Sequence, residues 1–206
     1  MKMHINGGAG KGNILKGQRG LMPVVEVHLI EGYDDAEKQR LGTALTDAVR
    51  SVVPAGPEAI TVLLHDLPAS DYYRGGTRRT PAPALPDPAD LVRAYLAAME
   101  ARDLKKAQAM LGDGFTMSFP GTAPMRTLQE LMDWAAPRYR FVKKTYEIFD
   151  VSQGADAAIV HCHGMLNGEW PDGTLFEGIR FIDRFELKGG RITKQDVWND
   201  MGEVRP

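Results

Sequence analysis

The sequence predicts an α+β protein of two modules: a short β-α-β unit, then a larger α+β part in which a curved antiparallel sheet wraps on helices. Three observations lead there. Residues 22–67 spell strand, helix, strand; prolines at 81, 83, 86 and 88 then interrupt the chain; and beyond them helical patterns come first and hairpin-linked strands after. The 206 residues and 43% apolar content suit two small globular domains and argue against disorder as the main state.

The first 21 residues, MKMHINGGAGKGNILKGQRGL, carry no acidic residue and no apolar periodicity, and read as a flexible, unpacked leader. Their GGAGKGN run is no phosphate loop, because Lys11 is followed by glycine where that motif needs Ser or Thr. VVEVHLI, ending at Glu31-Gly32, reads as a strand. Leu41, Leu45, Ala48 and Val52 then recur at helical steps behind the start signals Asp34 and Asp35. AITVLLHDL is a second strand, and a helical crossover of this length makes the two strands parallel. The prolines strip backbone donors and mark a linker over 79–89, between a module at 22–78 and one at 90–206. After it, Leu91, Tyr95, Ala98, Leu104, Ala107 and Leu111 predict helix from Asp90 to Met110, and a second helix spans roughly Thr127 to Trp134. TYEIFDV, AAIVHCHGML, FEGIRFIDRFEL and RITKQDVWND then alternate as antiparallel strands, the last two joined through a Lys188-Gly189-Gly190 turn.

Composition bounds the partners. A formal charge of -2, which drops to -6 once the leader's three lysines and one arginine are set aside, gives no basic surface for nucleic acid. No apolar run approaches the 18 or more residues of a membrane span. A lone cysteine, Cys162, excludes an internal disulfide, and with no secretory leader pattern the expectation is a cytoplasmic protein.

MPVVEVHLIEGYDDAEKQRLGTALTDAVRSV, AITVLLHDLPASDYYRGG and the closing Gly75-Gly76 resemble the 4-oxalocrotonate tautomerase family over about 55 residues. The resemblance implies that Pro23, following Met22, is a catalytic base through a free secondary amine, and that the subunits assemble as a homo-oligomer. The family's substrate-binding arginines fall at Tyr33 and Thr61, with Arg74, Arg78 and Arg79 nearby. An attached leader would make the Pro23 nitrogen a tertiary amide, whose delocalised lone pair takes no proton. The expectation is therefore that Met22 is the initiator. Residues 88–206, through the opening helix with Tyr95, FEGIRFIDRFELKGGRI and DVWND, resemble the SnoaL-type polyketide cyclases and related nuclear transport factor-like folds. That resemblance implies a cone around one apolar cavity.

In AAIVHCHGML, period two puts His161 and His163 on one face and Cys162 on the other, so the two imidazoles can act as an acid/base pair if their face is the inner one. Asp196, beside Trp198, falls where several relatives of the fold carry a general base, and burial there would raise its pKa. Tyr95 is expected in the core with its hydroxyl toward the cavity. Arg180 and Trp198 are candidate substrate contacts, and Cys162 is a buried apolar residue. Two histidines without a third ligand give no metal site.

The expected function is a cofactor-independent isomerase or cyclase moving protons at carbon beside the carbonyl of a small hydrophobic or polyketide-like substrate. Asp196 would be the base, His161 or His163 the partner acid, and Pro23 a possible second site. The competing expectations are hydrolysis or hydration by an Asp-activated water, and a ligand-binding protein whose first module only oligomerises.

Overall fold

The computed structural model describes residues 22–204 and the backbone of 2–4. The chain divides into two compact units, Met1–Ala84 and Leu85–Pro206, and the division falls inside the proline-rich stretch.

In the first unit, β1 (Lys2–His4) is a short strand antiparallel to β2 (Val24–Ile30), so the leader contributes one strand that its composition did not announce. The expectation of a flexible leader otherwise lies outside the described residues. Strand β2 pairs in parallel with β3 (Thr61–Leu67), Val24 facing Thr61 and Ile30 facing Leu67. Helix α1 (Asp35–Arg50) joins them. It begins at Asp34 because that side chain accepts from the Glu37 amide while the Glu37 carboxylate accepts from the Asp34 amide, satisfying two donors that a helix start leaves free. The ion pair of Lys38 on α1 with Asp66 on β3 identifies the face the helix covers. The other face carries Glu26, His28 and Ile30 beside Leu63, His65 and Leu67, with the two imidazoles stacked at 4.9 Å. A hairpin of β4 (Tyr73–Arg74) and β5 (Thr77–Arg78) turns on Gly75 and Gly76, both at positive φ.

The second unit opens with α2 (Pro88–Glu100), capped by the Asp87 carboxylate on the amides of Ala89 and Asp90 and with proline at its first position. The helix expected to run to Met110 stops at Ala101, and a short α3 (Leu104–Gln108) follows. The apolar spacing continued across the break, which is why periodicity ran the two helices together. Strand β6 (Leu111–Ser118) comes next, then α4 (Leu128–Ala135), β7 (Phe141–Gln153), β8 (Ala158–Glu169), β9 (Leu175–Lys188), β10 (Arg191–Asn199) and the single turn α5 (Met201–Val204). The sheet order is β6-β10-β9-β8-β7. All neighbours are antiparallel except β6, which lies parallel to β10; this edge strand went unread because its glycines at 112 and 114 interrupt the alternation.

One sheet face and the helices enclose a single buried cluster running from Val92 and Tyr95 through Phe115, Leu131, Val160, Cys162 and Phe181 to Phe185 and Ile192. The inner positions of β8 are Val160, Cys162, Gly164 and Leu166. Gly164 is there for want of space, because a Cβ built on it lands on the Thr145 carbonyl oxygen, beside the register shift between Tyr146 and Ile148 on β7. Gly168 is held likewise against the Phe141 carbonyl and the Phe176 ring.

Candidate active site

A cavity of about 260 Å³ opens in the second unit between α2, α4, the start of β7 and the inner face of β10. Much of its wall is apolar, from Leu96, Met99, Phe119, Leu131 and Val142, and into that wall project Tyr95, Glu100, Lys144, Tyr146 and Gln195.

Three of them, Lys144, Gln195 and through it Tyr95, are held from behind by Asp183. Strand β9 alternates Phe181, Asp183, Phe185 and Leu187 inward, so Asp183 is the one carboxylate in a buried apolar row and has no exposed surface. It is opposite Cys162 on β8 and Val197 on β10. The Lys144 ammonium donates to Asp183 Oδ2, and Gln195 Nε2 donates to the same oxygen at 3.4 Å. Gln195 Oε1 in turn accepts from the Tyr95 hydroxyl at 3.3 Å. The other oxygen, Asp183 Oδ1, has no hydrogen-bond donor among the described residues. A buried carboxylate persists as an ion only when paired, so the arrangement fixes a lysine cation at the cavity wall.

Two phenols share this environment. Burial, reinforced by the negative charge of Asp183, pushes the hydroxyls of Tyr95 and Tyr146 above the ordinary phenol range, and Tyr146 also feels Glu100. Both remain protonated, and so act as donors, at any physiological pH. Burial likewise pushes the Cys162 thiol up to about 12, which leaves it inert as a nucleophile.

His161, His163, Asp196, Trp198 and Arg180 do not stand at the cavity. The alternation groups the histidines as expected, but their face is the one turned away from the helices, since Val160, Cys162 and Gly164 point inward. His163 lies 3.4 Å from Glu147, both half exposed. Asp196 is on the same outer face, paired with Lys194 at 2.9 Å and near Arg184 at 3.7 Å; Trp198 is 51% exposed. The inward residue of β10 is its neighbour Gln195, and the register shift between Ile192 and Lys194 is what defeats simple counting along that strand. Arg180 points outward and donates to Asp200 at 2.6 Å. Of the expected residues in the second unit, Tyr95 alone lines the cavity.

Lys144, Asp183, Gln195, Tyr146 and Glu100 went unread. A signal existed for Asp183: Ile179, Phe181, Phe185 and Leu187 identify the inner face of β9, and an acid in that row has no solvent to meet. In the first unit, Pro23 is half-buried and its carbonyl accepts from the Thr61 amide at 2.9 Å. Arg78 Nε donates to the Ala69 carbonyl, and Arg74 lies 3.5 Å from the Tyr72 hydroxyl. Among the described residues, no three His, Cys, Asp or Glu side chains converge as a metal site would require, and no helix is long and apolar enough to cross a membrane.

The two units match two enzyme families. The tautomerase enzyme family matches residues 23–80, and the SnoaL-like domain family matches residues 92–195, half of the chain. A probable tautomerase of Staphylococcus saprophyticus is 37% identical over 59 residues, 29% of this chain and 97% of that protein. One of Streptococcus thermophilus is 38% identical over 55 residues, 27% of this chain and 90% of that protein. Among solved structures, an NTF2-like protein of unknown function from Burkholderia pseudomallei covers 56% of this chain and 92% of its own at 15% identity and a TM-score of 0.49. The match of the first unit puts the chain in the tautomerase class of isomerases. The chain belongs to the tautomerase family through its first unit and to the SnoaL-like family through its second.

Proposed function

We propose that the second unit moves a proton at carbon next to a carbonyl of a small, largely apolar substrate, with neither metal nor organic cofactor. The observation that carries this is the pairing of a cationic donor and a protonated phenol, Lys144 and Tyr146, with a carboxylate, Glu100, in one apolar cavity. Abstracting such a proton needs a base and a donor for the enolate oxygen. In this reading the carbonyl oxygen rests on Lys144 and Tyr146. Glu100 takes the proton from the adjacent carbon, and negative charge builds on the oxygen facing the ammonium. The protonated Glu100 then returns its proton at a second carbon, which completes an isomerisation, or the enolate carbon attacks a second carbonyl carbon of the substrate, whose C=O π bond opens to an alkoxide that takes the proton back from Glu100, which closes a ring. Asp183 and Gln195 position Lys144 and Tyr95 without touching substrate. The acid-base work expected of Asp196, His161 and His163 passes to these inward groups.

Deuterium exchange at the methylene of phenylpyruvate, followed by proton NMR in D2O, tests it. Glu100→Gln is expected to slow exchange by about 10²- to 10⁴-fold, the span of a general base, and Tyr146→Phe by less. Exchange at the wild-type rate in both variants would sink the assignment, as would no exchange by the wild type on either phenylpyruvate or benzoylacetone. Running Pro23→Ala alongside separates this site from the first unit.

The first unit supports a second reading. Among its described residues only Val25 and Val49 are buried, which favours a module completed by further copies of the chain, and the protein is proposed to be a homo-oligomer on that ground. Pro23 then acts as a base only where the chain begins at Met22 and loses it. Intact mass of protein made in its own cell, together with ketonisation of phenylenolpyruvate by wild type and Pro23→Ala, decides between a working tautomerase and a platform.

A further inference from the structure

Helix α2 ends in an unusual way. Arg102 has φ 59°, and it is the one non-glycine residue at positive φ among the described residues. Its amide donates to Met99 at 3.2 Å and the Asp103 amide donates to Ala98 at 2.9 Å, the pair of bonds that closes a helix through a left-handed residue. Glycine takes that position most often, because any Cβ there is strained. An arginine accepts the strain, and what it gains is a side chain in the cavity wall.

The guanidinium there is short of partners. It carries five N–H donors, yet among the described residues its one hydrogen bond runs from Nη1 to the Met132 thioether at 2.8 Å, and sulfur of that kind is a weak acceptor. No carboxylate lies within ion-pair distance of it among the described residues. Two of the three other cations of the wall differ, Lys144 being committed to Asp183 and Arg140 to Glu169; Lys143, like Arg102, makes no ion pair among the described residues, but its ammonium is a point charge and not a planar fork. Arg102 is near enough to Tyr139 to oppose the rise that burial imposes on that phenol, so its charge reaches inside the rim. A planar fork of donors at the mouth of an apolar cavity is suited to a carboxylate, which it can hold through two parallel bonds.

We infer that the substrate of the second unit is an organic anion, an aromatic or aliphatic body with a carboxylate at one end, and that Arg102 receives the carboxylate while Leu96, Phe119 and Leu131 take the body. The inference rests on the reading of this cavity as the substrate site. It also orients the substrate: the acid end lies at Arg102, and the enolisable carbon lies on the side of Glu100 that faces Tyr146.

The test uses two dyes with the same ring system on the full-length protein, 8-anilinonaphthalene-1-sulfonate and its uncharged counterpart N-phenyl-1-naphthylamine. Wild type is expected to bind the sulfonate about tenfold more tightly than the neutral dye, the scale of one charge-assisted contact. Arg102→Gly is expected to lose that factor, leave the neutral dye unchanged and melt no lower than wild type, since glycine relieves the backbone. Arg102→Lys should keep part of the preference. The Arg102 Nε–Hε NMR signal, assigned by its absence in the glycine variant, should move with the sulfonate and stay in place with the neutral dye. Unchanged sulfonate binding in Arg102→Gly, an equal loss of both dyes, or binding without movement of that signal would overturn the proposal. Such a failure leaves the deuterium-exchange result on Glu100 untouched, so the two readings fall separately.

Discussion

The second unit buries one continuous cluster from Val92 to Ile192, whereas the described part of the first buries only Val25 and Val49. Both have a helix lying on a sheet, so the contrast comes from how much of the sheet is covered. In the larger unit three helices and a long curved sheet close on each other, and the polar groups that face inward, Asp183 and Gln195, find partners there. In the smaller unit two parallel strands and one helix leave a second face bearing Ile30, Leu63 and Leu67 beside stacked His28 and His65. Parallel strands in stable proteins are buried on both faces, and two or three short strands supply too little core to hold by themselves. One unit therefore carries its own core, and the described part of the other carries little of one.

The strongest way to break this contrast is to separate the units. Residues 85–206 produced alone should unfold in one sharp transition at any concentration, while residues 22–84 alone should lose their circular dichroism on dilution. A dilution-independent, cooperative melt of the small fragment would end the comparison.

Next in size is the buried pair. Lys144→Met leaves the Asp183 carboxylate buried without its cation and should cost about 3–5 kcal/mol in urea unfolding, whereas Lys38→Met, at a solvent-screened pair of the first unit, should leave the urea midpoint nearly unchanged. Alkaline pH should also act on the second unit. Burial raises the pKa values of Cys162, Tyr95 and Tyr146 above their ordinary values of 9.0 and 10.0. The unfolded chain therefore gives up these protons first, and stability is full below about pH 9 and falls as pH rises beyond it. A pH series of thermal melts should show that decline, flattened in Cys162→Ala, and a thiol reagent at pH 8 should leave folded Cys162 unmodified.

Smaller effects sharpen the picture. Gly164→Ala should cost about 1–3 kcal/mol through overpacking against Thr145. Arg102→Gly should gain up to about 1 kcal/mol by relieving the left-handed turn, a gain to be measured by urea unfolding.

Much of the fold was legible because its patterns are local. The α1 capping signals, the strand alternation and the turns at Gly75-Gly76 and Gly189-Gly190 each depend on a few neighbouring residues. The face that looks inward depends on the whole sheet, and a single extra residue inverts it. On β10 the register shift between Ile192 and Lys194 exchanges Asp196 for Gln195, and on β8 the small residues Cys162 and Gly164, rather than the histidines between and beside them, mark the interior. Period two groups residues but does not orient the group. Lys144 and Glu100 were illegible for another reason: lysine and glutamate on amphipathic elements read as solvated charges until a cavity is seen beside them.

The close approach of β7 to β8 at Gly164 and Gly168 sets limits on redesign. There main chain packs on main chain, so a library gains nothing at these two positions, where any Cβ meets a carbonyl oxygen of β7. Diversity belongs on the movable side, at Leu96 and Leu131 of the helices, where a larger or smaller side chain reshapes the chamber while the strands keep their spacing. Side chains on the helices can be exchanged there, whereas β7 and β8 stand on a backbone with no slack.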